Sequence, residues 1–171
     1  VNVGELLIEE FDRLPGLVRS AVEGLTPDQL RWSPKPGANS VGWLVWHLTR
    51  IQDDHIAELI GTDQVWASGD WAGHFALGAD TSDTGYGHSP AQVAAVRPDS
   101  WQVLVEYYGA VHARTLEFLR DLTPEDLDRV VDERWDPPVT LGVRLVSVLA
   151  DDEQHVGQAA YVRGLQRDPS S

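Results

Sequence analysis

The sequence predicts an all-α protein, a four-helix bundle with a long loop between its second and third helices. Three observations predict it. Apolar residues recur at spacings of three and four through four long segments, which is the period of a helix with one buried face. The segments after the first open on Ser, Thr or Asn, the residues that accept the unpaired N–H groups of a first helical turn. The order helix, Thr-Pro turn, Trp-Pro loop, capped helix then occurs twice along the chain.

The elements follow in order. Residues 3 to 24 carry Leu6, Leu7, Phe11, Leu14, Leu17, Val18 and Val22 on one stripe, and Pro15 should kink or break that first helix. Thr26 before Pro27 reads as an N-cap with Pro at the first helical position of a short turn. The loop from Ser33 to Asn39 follows. Asn39 or Ser40 caps the second long helix, expected to run to about Leu59, and Gly61 ends it.

Residues 62 to 89 show no period but hold Trp66, Trp71, His74, Phe75, Tyr86 and His88 among Gly, Asp, Ser and Thr. A loop of that length in a compact domain is functional or packed down by its own aromatics, so it is read as a cover over the bundle. Ser89-Pro90 opens a short helix to about Val96. The third long helix starts near Pro98 or Ser100 and runs to about Leu119, with Val103, Leu104, Tyr107, Val111, Thr115, Phe118 and Leu119 as its stripe. Thr140 caps the fourth, expected to reach about Leu165, and the tail from Arg167 to Ser171 should fray.

The repeat is short but ordered. LTPDQL at 25 returns as LTPEDL at 122, RWSP at 31 as RWDP at 134, and Ser40-Val-Gly as Thr140-Leu-Gly. Two similar hairpins packed face to face give a four-helix bundle in which the second and fourth helices meet at the centre.

Length and composition set the class. The 171 residues fit one domain, and a hydrophobic content of 42% supplies a core. A net charge of −14 argues against non-specific nucleic-acid binding and against anionic membrane surfaces. With no cysteine, disulfides, thiolate zinc sites and a protein thiol nucleophile are excluded. No apolar run is long enough to span a bilayer and no signal peptide is visible, so the expected location is the cytoplasm.

The chemistry gathers at Asp151 and His155. They stand four residues apart in the apolar run LADDEQHVGQAAYVRG, which puts both side chains on one helical face. Neither belongs in a dry core without a partner. His47 lies in another apolar run, seven residues past its cap, while Asp151 lies eleven past Thr140. Both copies of the repeat therefore aim a ligand-type residue inward at comparable depth. Two imidazoles and one carboxylate suit Zn²⁺, Fe²⁺, Ni²⁺ or Mn²⁺, and three protein ligands leave positions open for substrate. A metal-free His–Asp hydrogen-bond network is the competing reading of the same spacing.

VGWLVWHLTRIQDDHI, the DTGYGHS loop and VLADDEQHVGQAAYVRG together resemble the DinB-like superfamily, in the branch of the mycothiol-dependent maleylpyruvate isomerase N-terminal domain and the mycothiol transferases. The resemblance runs from the first helix to Arg163. It implies a single DinB-like four-helix bundle over 1–171, with a divalent metal, usually zinc, on a helix-2 His and a helix-4 pair: His47, Asp151 and His155. Many members carry His or Glu where this chain has the shorter Asp151.

Around these, Arg50 and Arg144 could clamp an anionic substrate, Gln158 and Tyr161 flank His155, and His88 could line the entrance with His74. Trp43 and Trp46 read as core or pocket wall, and Asp54 as a hydrogen-bond acceptor behind His47. His55, His112, Asp152 and Glu153 read as solvated. The expected function is metal-dependent transfer of a low-molecular-weight thiol, mycothiol by resemblance, in which a metal-bound thiolate attacks a small electrophile. A hydrolase using metal-bound water and a non-catalytic metal-binding bundle are the alternatives. A homodimer is compatible with the sequence, which does not fix the oligomeric state.

Overall fold

Pro15 decides how the chain begins. It lacks an N–H, and its ring crowds the carbonyl four residues back, which is Phe11. In the computed structural model, which describes residues 1–166, the expected first helix is accordingly two: α1 (Val3–Phe11) and α2 (Leu14–Val22), with Pro15 in the first turn of α2. The tail expected to fray, Arg167 to Ser171, lies outside the described residues.

The other helices begin where their caps stand. Thr26 and Gln29 form a reciprocal capping box on α3 (Pro27–Arg31). Ser40 accepts the Trp43 N–H at 3.2 Å and opens α4 (Val41–Ile60), which ends on Gly61 in the left-handed region at φ 77°. The crossover holds a 3₁₀ turn (Val65–Ser68), α5 (Trp71–His74) and α6 (Pro90–Ala95), the last capped by Ser89. Ser100 caps α7 (Trp101–Arg120), and Thr140 caps α8 (Leu141–Leu165).

One element was not expected. Val130–Asp132 (β1) and Val139–Thr140 (β2) pair as a small antiparallel hairpin before α8. Its strands are β-branched but too short to display a period of two. The two copies of the sequence repeat therefore agree at the Thr-Pro turn and at the capped helix, and differ between them: a loop leads into α4, a hairpin into α8.

α4 and α8 pack against each other along most of their length and run antiparallel, with His47 beside His155 and His55 beside Arg144. α7 lies against α4, and α1 and α2 close the bundle against α7 and α8. The crossover covers the remaining side of α4, so every residue from Val41 to Arg50 is buried. Trp46, Trp66, Phe75 and Tyr107 form an aromatic cluster there, with Trp66 centred between Trp46 at 6.3 Å and Tyr107 at 5.4 Å. The fold thus lays α4 between α8 and a packed cover, and the side chains at their meeting line are those singled out above. Among the described residues, no helix is long and apolar enough to cross a membrane.

Candidate metal centre

His47 is 5% exposed, in the second turn of α4. One turn earlier Trp43 stacks on its ring, centroids 4.6 Å apart and planes 13° off parallel. The His47 Nδ1 lies 2.5 Å from the Thr84 carbonyl oxygen. A carbonyl only accepts, so Nδ1 carries the proton and Nε2 keeps its lone pair. His155 repeats the arrangement on α8. Its Nδ1 is 2.8 Å from the Asp151 carbonyl and 3.2 Å from Asp151 Oδ2, both acceptors, which again leaves Nε2 free.

The two rings sit edge to face at 4.7 Å. Asp151 Oδ2 is buried and faces His155 Nδ1 at 3.2 Å, while that nitrogen makes its better-aligned bond to the Asp151 carbonyl. One ligand atom from each of His47, Asp151 and His155 lies within 4.8 Å of the other two. A tetrahedral ion with bonds of about 2.1 Å draws its donors to about 3.4 Å apart, so small side-chain rotations complete the fit. The donor set is what a divalent ion requires: two imidazole nitrogens whose other N–H is held by a carbonyl, and a carboxylate oxygen beside them.

The protonation states differ between the two rings. Burial pushes the His47 imidazole below its ordinary range, opposed by the Thr84 carbonyl and reinforced by His155. The hydrogen bond to Asp151 raises His155, against the opposing effect of its burial. His47 is therefore neutral and ready to coordinate, whereas a cation at the centre competes with the Nε2 proton of the His155 imidazolium that Asp151 stabilises through Nδ1.

The segment 81–88 covers His47, and Gly85 allows it. Gly85 has φ 87°, and a Cβ there would stand 2.8 Å from His47 Nδ1, 2.8 Å from the Trp46 ring and 3.2 Å from the Trp43 ring. No other residue lets the chain pass so close. His88 then clasps the cover down. Its Nδ1 accepts the Trp43 Nε1–H at 3.1 Å, its Nε2 donates to Asp83 Oδ1 at 2.8 Å, and its ring stacks on Trp46.

Several expected roles change. His88, taken as an entrance or substrate residue, has a side chain 6% exposed and both nitrogens engaged, so it fastens the cover. Arg50, taken as a substrate clamp, is fully buried beneath the crossover and closed to a ligand. Asp54 accepts from Gln64 Nε2 and does not stand behind His47; the Thr84 carbonyl does. His74 pairs with Asp99 on the surface and lines no entrance.

Three residues read as solvated are not. His55 is half-buried and accepts from Arg144 Nη1 at 2.8 Å, and burial lowers its pKa. His112 bonds Asp12 at 3.0 Å and stacks on Tyr108. Asp152 is fully buried, and neither of its oxygens has a partner among the described residues. Burial pushes its carboxyl well above the carboxylate range, with Asp151 and Glu153 adding to the shift. The helical step of about 100° from Asp151 does turn Asp152 to another side, but on α8 that side is the core. Glu153 is exposed as expected.

A cleft of about 700 Å³ lies beside the centre, and none of the three candidate ligands lines it. Thr84 belongs to its wall, with Ile51, His55, Arg144, Tyr86 and Trp135. Tyr86 and Trp135 project into solvent, 90% and 65% exposed. Arg144 faces the cleft but is tied to Asp132 Oδ2 at 2.9 Å as well as to His55. Gln158 and Tyr161 are exposed on α8 beyond His155. A second cavity, of about 480 Å³, lies by Ile60, Arg114, Phe118 and Arg129 and holds none of the three candidate ligands. Sequence reasoning missed Asp53, which accepts the Val65 and Trp66 N–H groups at 2.8 Å each. Its signal was a carboxylate three residues from Arg50 inside an apolar helix.

A family profile described as the DinB superfamily matches residues 10–159. A solved structure, titled the crystal structure of the conserved protein of locus from Enterococcus faecalis, is similar to this chain at 36% identity and a TM-score of 0.88. The likeness covers 96% of this chain and 97% of that one. No curated protein matches.

Proposed function

The chain belongs to the DinB superfamily, and from that premise we propose that it is a metal-dependent enzyme that transfers a low-molecular-weight thiol to a small electrophile. The observation that carries the reading is the set His47, Asp151 and His155, one ligand atom of each within 4.8 Å of the others and both imidazoles engaged through Nδ1 by a backbone carbonyl. Three protein donors leave coordination open, the arrangement of catalytic zinc rather than structural zinc. Zinc is the ion proposed for this mixed nitrogen and oxygen set. A divalent ion bound there would lower the pKa of a coordinated thiol from about 8.5 toward neutrality, supplying a nucleophilic sulfur.

The chain supplies the rest. Asp151 faces the His155 Nδ1–H at 3.2 Å and gives a carboxylate oxygen to the centre. Trp43 and the segment 81–88 exclude water from the His47 side. The cleft beside Thr84 admits the second substrate between Tyr86 and Trp135. The chain has no cysteine, so the sulfur must arrive on a cosubstrate. Mycothiol is the cosubstrate proposed, on the strength of the sequence resemblance. A hydrolase would need a carboxylate base beside the centre, and the nearby Asp152 is turned into the core.

The test is thiol consumption with a chromogenic electrophile, using mycothiol, glutathione and cysteine, with zinc and with chelator. Metal-stimulated turnover by the wild type and its loss in His47→Ala are expected. Equal turnover with and without His47 rejects the proposal, and activity confined to ester or amide panels transfers the site to hydrolysis.

A further inference from the structure

Arg50 is the most completely engaged charged side chain near the centre. It is 0% exposed. Its Nε donates to the Asp83 carbonyl at 3.1 Å, and its Nη2 to the Thr81 carbonyl at 2.8 Å and Gln64 Oε1 at 2.7 Å. Its Nη1 donates to Tyr107 OH at 3.1 Å and faces Asp53 Oδ2 at 3.4 Å. A guanidinium has five N–H donors in a rigid fork, and here all five have a partner. Trp66 lies against the group, its ring centroid 5.0 Å from the guanidinium carbon.

Burying a guanidinium is unfavourable unless its partners repay the lost water, and Asp53 alone returns charge. Two other partners, the carbonyls of Thr81 and Asp83, belong to the segment that covers His47. The carbonyl after Asp83 is that of Thr84, the acceptor for His47 Nδ1. Arg50 stands three residues from His47 on α4, so both reach the same segment from neighbouring positions on the helix. Asp53 holds the other limb of the crossover through the Val65 and Trp66 N–H groups.

We infer that Arg50 is a positioning residue for the centre: by fastening the backbone of residues 81–83 it sets the Thr84 carbonyl on His47 Nδ1 and so presents Nε2 to a ligand. Ligand binding at His47 and closure of the segment are therefore coupled, and the coupling is reciprocal: a cation at the centre orders residues 81–88. Lysine cannot substitute, because an ammonium has no planar fork to span two carbonyls, a glutamine and a tyrosine. The metal readout of this inference rests on the reading of His47 as a ligand; the tautomer readout does not.

The experiment compares wild type with Arg50→Lys, Arg50→Gln and Gln64→Ala. Gln64→Ala loosens the same clasp without stranding a buried charge, so it reports even where an Arg50 variant fails to fold. Thr115→Val, which breaks the buried Gln52–Thr115 hydrogen bond of 2.7 Å, is the control for lost stability alone. Two quantities are read well below each melting temperature: the His47 tautomer from ¹⁵N shifts of metal-free protein, and Zn²⁺ affinity by competition with a chromophoric chelator.

The wild type is expected to hold the proton on Nδ1. The Arg50 variants should mix tautomers and bind Zn²⁺ about 10–100-fold more weakly, the usual cost of losing a partner behind a ligand. Gln64→Ala should fall between, and Thr115→Val should melt lower with both readouts unmoved. A folded clasp variant with wild-type tautomer and wild-type affinity overturns the inference, as does a wild type protonated on Nε2. A locked tautomer that the variants release, in a protein that binds no Zn²⁺, upholds the positioning role and removes the proposed metal function.

Discussion

Gly85→Ala isolates the contact on which the cover depends. The added Cβ would lie 2.8 Å from His47 Nδ1 and from the Trp46 ring, closer than carbon atoms approach, and φ 87° is a conformation an L-residue avoids. The backbone conformation costs about 1–2 kcal/mol and the overpacking a further ~1–3 kcal/mol, some ~2–5 kcal/mol together. For a chain of this length each kcal/mol moves the melting temperature by about 2–4 °C, so a fall of about 4–20 °C is expected. The segment relieves the clash by lifting, which withdraws the Thr84 carbonyl from His47 and weakens Zn²⁺ binding about 10–100-fold. Gly87 separates the two contributions. It also has positive φ, 73°, but a Cβ there meets nothing within 4 Å. Gly87→Ala should show only the smaller conformational loss and unchanged affinity. The assays are thermal unfolding with chelator present and chelator competition for Zn²⁺. Gly85→Ala melting with Gly87→Ala and binding Zn²⁺ like wild type would refute the reasoning.

The remaining predictions concern protons. Zn²⁺ must displace the Nε2 proton of the His155 imidazolium, whose pKa Asp151 raises, so affinity should fall by about tenfold per pH unit once the solution is more acid than that pKa. His47, whose pKa is lowered, adds its own competition only at lower pH. Competition titrations from neutrality downward check this, and an affinity flat into the acid range would count against it. Asp152 is the converse case. Its folded pKa is raised, so the stability it contributes is greatest below the unfolded value of about 3.9 and is lost as pH rises through the folded value. Asp152→Asn removes that dependence. In chelated protein the variant should melt above wild type at neutral pH, and the gap should close on acidification. A constant difference across the range would mean that Asp152 is not the buried, unpartnered group found here.

What the residues reveal in advance divides along physical lines. Helix starts are legible because Ser40, Ser100 and Thr140 each carry their cap in the side chain. The break before Pro15 is legible for the same kind of local reason. The β1–β2 hairpin is not, since strands of three and two residues leave no period to read. His47, Asp151 and His155 converge because a helical repeat carries them, and that repeat is visible in the spacing. Arg50 and Asp152 mislead for one shared reason. Periodicity sorts positions into faces, but α4 has cover on all sides over its first half and α8 is buried across a wide arc, so a charged residue off the main stripe still points inward. The Thr84 carbonyl is beyond any side-chain pattern, because a backbone acceptor writes nothing into the sequence. Gly85 is its only trace, and its meaning appears once φ and the neighbouring rings are known.

Metal stoichiometry reaches the central claim most directly. Wild-type protein and His155→Ala, each dialysed against excess Zn²⁺ and then metal-free buffer, are analysed for elemental content. About one zinc per chain in the wild type and little in the variant is the predicted result, as for a three-donor site stripped of one imidazole. Equal zinc in the two proteins, or none in either, would contradict it.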